Sequence, residues 1–220
     1  MTLREVLEGY GIEIEDEKLK VLEDFARFLW KSPVNLTSLE GEELYHKGIA
    51  EVLYPLKEFP ILERFVDVGT GGGIPGIVWS VYFGVEGVLV DSRRKKIDMV
   101  KRFIEEHSLP LEAIWGRAEE VVRDMRESFM YATAKALAKT CEAAELLAPF
   151  VQVGGYVLLY KGPSWREEIE GCWELLEEMG LDHADTIEYE LLRGERRALV
   201  ILEKFKSTPR RFPRRRRRGR

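Results

Sequence analysis

Over the first sixty residues the apolar positions recur every three or four residues. Leu19, Leu22, Phe25, Ala26 and Leu29 fall on one side of a helix over 16–31, and residues 3–10 show the same rhythm. Pro33 stops the second helix, because its ring disfavours α geometry at Ser32. Asn35-Leu36-Thr37-Ser38 follows as a polar connector, and 41–57 reads as another helix. From Arg64 the texture changes. Short apolar runs at 64–68, 87–91, 111–115, 128–133, 155–161, 184–190 and 197–204 alternate with helical stretches near 75–83, 93–107, 118–126, 139–150 and 164–180. That alternation predicts an α/β fold with a seven-stranded, mostly parallel sheet. The last two runs, TIEYELL and ALVILEKF, flank RGERR and read as a terminal antiparallel hairpin. Three parts are expected: a helical cap over 1–60, a sheet domain over 61–205 and a basic tail over 206–220.

Charge changes this picture at one end. The 220 residues carry a formal net charge of −5, yet residues 203–220 hold ten Lys/Arg and one Glu, so the other 202 carry −14. An acidic body with an arginine-rich tail predicts a phosphate-backbone partner reached through the tail. No run of eighteen apolar residues is present, and MTLREVLEGY has no basic segment leading into an apolar one, so neither a membrane span nor a secretory leader is expected and the reading is cytoplasmic. Cys141 and Cys172 are isolated and read as two partly buried thiols, forming neither a CxxC motif nor a metal site. One asparagine, one glutamine and abundant Glu, Lys and Arg hint at a thermophile.

The chemistry is concentrated at residues 65–76, FVDVGTGGGIPG, and at Asp91, which closes the second apolar run GVLVDS. A strand ending in an acid, a glycine turn and a helix together grip a ribose-bearing cofactor. The glycines let backbone N–H groups approach it, and Asp91 can accept from the ribose hydroxyls. The string G-x-G-x-x-G alone serves NAD, FAD and S-adenosylmethionine (SAM) alike. Asp67 narrows the choice, since a carboxylate there opposes a pyrophosphate but suits the charged amino-acid end of SAM. Pro75, just inside the next helix, removes an N–H that a phosphate would use. The terminal hairpin also suits the class I SAM-dependent methyltransferase version of the Rossmann-like sheet. The loop Trp115-Gly116-Arg117-Ala118-Glu119 shares the carboxyl edge of the sheet and is expected to hold the adenine.

Several separated motifs then resemble one family, the RsmG/GidB bacterial 16S ribosomal RNA guanine-N7 methyltransferases. They are Asn35-Leu-Thr, His46 with its helix, Asp67 to Gly76, Val90-Asp91-Ser92, Arg117-Ala-Glu-Glu120, Thr133-Ala-Lys-Ala-Leu137, Lys161-Gly162 and Thr208-Pro-Arg-Arg-Phe-Pro-Arg-Arg215. The resemblance runs from about residue 16 to the end. It implies SAM contacts at Gly69, Ile74, Ala118, Glu119 and Lys135, beside Asp67, Gly71, Gly73 and Asp91 of the glycine motif. The family usually has arginine where this chain has Lys135, which keeps the charge but loses the planar fork.

The reaction so implied is methyl transfer from SAM to guanine N7 of 16S rRNA in the small ribosomal subunit, by a monomer. Guanine N7 has a lone pair and no proton, so it needs no general base, covalent nucleophile or metal. The chain has no [N/D]-P-P-[Y/F] tetrapeptide and no Pro-Cys after the fourth strand. Asn35, Lys135 and Lys161 are the candidate catalytic residues. His46, Arg93, Arg94, Arg210, Arg211, Arg214 and Arg215 are the candidate RNA contacts. Two alternatives stand beside this reading: an NAD-dependent oxidoreductase, weakened by Asp67 and the terminal hairpin, and a non-enzymatic RNA-binding protein.

Overall fold

The computed structural model describes residues 1–214. Its strands are β1 (Phe65–Val68), β2 (Gly87–Asp91), β3 (Leu111–Trp115), β4 (Phe129–Lys135), β5 (Val151–Lys161), β6 (Leu181–Glu190) and β7 (Arg196–Lys204). They form one sheet in the order β3-β2-β1-β4-β5-β7-β6. The first five are mutually parallel, and β7 pairs antiparallel with both β5 and β6. All seven predicted strands are present, and the hairpin closes the sheet as expected. The order reverses beside β1, so the ends of β1 and β4 open a crevice there.

Alternate residues of each strand serve opposite faces. Phe65, Leu89, Leu158 and Leu199 pack with the cap, α4 (Gly76–Phe83) and α5 (Arg94–Glu106). Val66, Val88, Ala132 and Val200 pack with α6 (Ala118–Val121), α7 (Thr140–Leu147), α8 (Trp165–Glu170) and α9 (Trp173–Met179). The cap begins with α1 (Leu3–Gly9) and α2 (Asp16–Lys31), and α2 buries Leu19, Leu22, Phe25, Ala26 and Leu29, the stripe read from the sequence.

Three local departures have physical causes. The helix expected over 41–57 is a π-helix over Leu44–Ala50, one α turn, α3 (Glu51–Leu53), and a 3₁₀ turn over Tyr54–Lys57 containing Pro55. A side chain at Gly48 would meet Leu44 Cδ1 at 2.5 Å, so the wide π turn packs tightly against its own first residue. The helix expected over 164–180 breaks into α8 and α9 at Gly171-Cys172. Cys141 on α7 and Cys172 are not free thiols: they form a disulfide, with Cα atoms 5.5 Å apart across the packed helices. Sequence spacing carried no sign of this, because 31 residues separate them.

The basic tail, as far as Arg214, lies against the body. Phe212 is buried, and Thr208 donates its hydroxyl to Met179 O at 2.7 Å. Arg126 donates to the carbonyls of Thr208, Pro209 and Phe212. Arg211 pairs with Glu178 at 2.9 Å and Arg214 with Glu145 at 2.6 Å. These two expected RNA contacts are therefore engaged by the protein's own carboxylates, while Arg210 is exposed. Arg215 lies outside the described residues.

The disulfide carries a stability prediction. Closing a loop of this length removes about 3–4 kcal/mol of unfolded-state entropy in the chain-entropy account. Unreduced protein should show an intact mass two hydrogens below the dithiol value, and Cys141→Ser/Cys172→Ser should unfold at lower urea concentration. Equal midpoints for the oxidised protein and the double variant would refute the assignment.

Candidate functional site

At the carboxyl edge the chain leaves β1 through Gly69, Gly71 and Gly73, whose φ values of 75°, 60° and 101° belong to the left-handed region. Gly69 and Thr70 donate their N–H groups to Val90 O on β2, at 2.7 and 3.1 Å, so the turn is stitched to the neighbouring strand. Two carboxylates hold it from either side. Asp67 Oδ2 accepts from Gly76 N–H at 2.9 Å and from the Thr70 hydroxyl at 2.7 Å. Asp91 Oδ2 accepts from Gly71 N–H at 2.9 Å.

Their electrostatics differ. Asp67 is wholly buried, and burial pushes its carboxyl up to about 7, although the bonds from Thr70 and Gly76 oppose this. Its Oδ1 has no hydrogen-bond partner among the described residues. For Asp91 burial also works upward, but the side-chain and N–H bonds from Arg93 and the N–H of Gly71 outweigh it and hold the carboxyl below its ordinary value. Arg93 grips Asp91 through Nε and Nη2, at 3.0 and 2.9 Å.

Three cavities meet along this edge. The first, about 410 Å³, is lined by Gly69, Asp91, Gly116, Ala118, Glu119 and Leu137. It combines the glycine turn, the acid after β2 and the loop after β3, which is where the sequence placed a ribose and an adenine. The second, about 680 Å³, brings Asn35 and Thr37 to Gly69, Gly71, Ile74 and Lys135. The third, about 370 Å³, lies beyond β4 and is lined by Glu51, Lys135, Tyr160, Lys161 and Arg197 among others. The loop Lys135–Ala138 separates them: Ala136 lines all three, and Lys135 lines the second and third.

Several expected site residues have other tasks. Asp67 reaches none of these cavities. It supports the turn from below instead of touching a ligand, because the Gly76 N–H and Thr70 hydroxyl draw it inward. Gly73 is likewise a packing position, where a Cβ would lie 2.5 Å from Ile77 Cδ1. His46 is buried in the π-helix, hydrogen-bonded through Nδ1 to the Tyr10 hydroxyl at 3.1 Å. Burial, the largest cause, and Arg193 push the imidazole below its ordinary value, and it cannot touch RNA from there. Lys161 donates to Ala138 O and Glu168, both at 2.9 Å, and Glu168 also accepts from the N–H and hydroxyl of Thr140. It thus braces the loop after β4. Arg94 is exposed, 5.1 Å from the ring of exposed Trp115.

Sequence reading missed Glu51 and Arg197. Glu51 is 3.4 Å from Lys135 Nζ and 3.2 Å from Arg197 Nε. The available signal was one acid inside the apolar run Ile49-Ala50-Glu51-Val52-Leu53, which only long-range pairing explains.

Comparison with known proteins agrees with this geometry. The family model for GidB, described as rRNA small subunit methyltransferase G, matches residues 18–200. Ribosomal RNA small subunit methyltransferase G of Pseudothermotoga lettingae is 34% identical over 212 residues, covering 96% of this chain and 93% of that one. The Thermotoga maritima protein of the same name is 34% identical over 217 residues, 97% of this chain and 91% of its own. Among solved structures, an O-methyltransferase from Bacillus cereus in complex with SAH aligns at TM-score 0.58 and 16% identity, over 90% of this chain and 95% of that chain. Fibrillarin from Aeropyrum pernix, bound to S-adenosyl-L-methionine, aligns at TM-score 0.54 and 18% identity, over 70% and 73%. The sheet is the Rossmann-like class I methyltransferase fold.

Asp67 gives the turn a pH signature. Its carboxyl is higher in the fold than in the unfolded chain, so its stabilising contribution is full below about pH 4 and is lost as pH rises through 7. Asp67→Asn keeps an acceptor for Gly76 and Thr70 but cannot ionise. Relative to Asp67→Asn, the parent protein should lose about 2 kcal/mol between pH 5 and pH 8 in urea unfolding. A difference that does not change with pH would show that Asp67 titrates normally.

Proposed function

The chain belongs to the GidB family of rRNA small subunit methyltransferases G, and on that premise we propose that it transfers the methyl group of SAM to N7 of a guanine in 16S rRNA. The observation that carries the reading is the junction at Lys135–Ala138. One side of this loop faces a cavity shaped by glycine, Asp91 and Glu119, and the other faces a cavity where Lys135 and Arg197 flank Glu51.

The residues present fit SAM. Gly69, where a Cβ would meet Leu137 Cδ1 at 2.5 Å, and Asp91, whose carboxylate is held by Gly71 and Arg93, both line the cofactor-side cavity. Gly69, Asp91, Ala118 and Glu119 would hold its adenosine part. The chemistry it supplies there is an electrophilic methyl carbon. The protein then needs to position a neutral nitrogen nucleophile and to tolerate the positive charge shift of alkylation. Lys135 is the cation shared by the second and third cavities and is assigned to the O6 side of the guanine. Asn35 lies in the polar connector above the glycine turn and is assigned to the rim where the RNA strand enters. Family membership sets the dehydrogenase reading aside.

Two measurements test this. Purified protein given methyl-labelled SAM and 30S subunits, or protein-free 16S rRNA, should place label on guanine N7, and Lys135→Ala should lower the rate at least tenfold while retaining S-adenosylhomocysteine binding. Label on another atom, or no label in RNA, would overturn the proposal. The tail requires a gentler truncation than removal from Thr208, because Phe212 is buried. Deleting 215–220 removes five arginines and should flatten the dependence of log affinity on log salt by up to about 3–4. An unchanged slope would show that these residues do not meet RNA.

A further inference from the structure

The third cavity contains a feature that methyl transfer to N7 does not itself require. Among its lining residues Glu51 is the only acid, and its side chain is 4% exposed. A carboxylate so buried is costly unless cations and hydrogen bonds compensate it, and here Lys135 and Arg197 do so. Its position is fixed from behind. The carbonyl of the next residue, Val52, accepts from Trp79 Nε1 at 3.2 Å and from the Tyr160 hydroxyl at 2.6 Å. Trp79 and Tyr160 are themselves joined at 3.1 Å. An acid held this firmly, between cations, at the wall of a cavity of about 370 Å³ is a built acceptor site.

We propose that Glu51 reads the Watson–Crick edge of the target guanine, accepting hydrogen bonds from N1–H and the N2 amine. The inference rests on the guanine-N7 reading above and deepens it. Each carboxylate oxygen has two acceptor positions, so contacts to Arg197 and Lys135 leave one on each oxygen. Guanine presents two adjacent donors on that edge, a match for a carboxylate. Adenine presents a lone pair at N1 and a carbon-bound hydrogen beside it, which would leave the buried acid facing a lone pair. The edge read lies away from N7, so a base held by Glu51 keeps N7 free for alkylation. Apolar Leu39, Leu137 and Leu159 line the same cavity and can cover the faces of the ring. Discrimination by one bidentate pair amounts to roughly 5- to 150-fold.

The test uses the full chain saturated with S-adenosylhomocysteine, titrated with GMP, IMP and AMP and followed by NMR. IMP keeps N1–H but lacks the N2 amine. Wild type should bind in the order GMP, IMP, AMP, with GMP ahead of AMP by roughly 5- to 150-fold. Glu51→Gln should bring the GMP/AMP ratio close to one with S-adenosylhomocysteine affinity unchanged, and Glu51→Asp should weaken all three ligands but keep the order. A wild type without base preference, or a Glu51→Gln protein that retains it, overturns the assignment. A Glu51 that merely positioned Lys135 would lower turnover and leave the ratio untouched. Methyl transfer separates the two levels. Wild type failing to label guanine N7 refutes the functional reading, whereas wild type labelling N7 and Glu51→Gln matching its kcat and KM refutes only the role of Glu51.

Discussion

The hydrogen bond from Gly76 N–H to Asp67 Oδ2 sets the geometry of the whole carboxyl edge. Gly76 opens α4, and its amide is one of the unpartnered donors that every helix start presents. Asp67 is the third residue of β1. One buried carboxylate therefore joins a strand to the helix that follows it and fixes the length of the turn between them. No larger residue fits at 76, where a Cβ would lie 2.1 Å from Leu89 Cδ2 and 3.0 Å from Asp67 Oδ2. The acid of the glycine motif is thus engaged within the fold, through its Oδ2. Asp91, on the next strand, is the one that faces the cavity.

A second buried junction sets the cap against the sheet. Trp79 on α4 and Tyr160 on β5 both donate to Val52 O, and all three are inside the core. This bond network ties the α turn after the π-helix to the cofactor-side helix and to the strand beside β4. Its consequence is chemical as well as mechanical. It brings Glu51, a residue of the cap, to the cavity beyond β4, and the ion pairs to Lys135 and Arg197 then span cap, β4 and β7. The third cavity is therefore complete only with the cap in place.

The parts of this design that were legible in the sequence are those with short-range causes. Strand alternation, the α2 stripe, the glycine turn and Asp91 each depend on neighbours within about twenty residues, and the structure places them as read. The rest depends on partners far along the chain. The disulfide needs the packing of α7 against α9, the docking of Phe212 needs Arg126, and the burial of His46 needs Tyr10. Lys161 illustrates the limit. Its place at the end of β5 puts it on the carboxyl edge, but Glu168, seven residues on, turns its ammonium toward the loop it braces. The π-helix is illegible for another reason: its apolar spacing suits an α-helix as well.

The distribution of charge around the loop Lys135–Ala138 follows from what each side has to hold. On the cofactor side burial raises the Asp91 carboxyl, but the bonds from Arg93 and Gly71 outweigh it and keep the group ionised at the cavity wall. On the far side Lys47, Lys135, Lys161 and Arg197 line the cavity beside Glu51; Lys135 and Arg197 pair with Glu51, Lys161 with Glu168 and Lys47 with Glu43. Glu51 is the more buried partner of these pairs, its side chain 4% exposed against 20% for Lys135 and 24% for Arg197. In the proposed complex Glu51 would offer its acceptors to the nucleobase, while Lys135 and Arg197, which hold that carboxylate in place, would keep positive charge beside it.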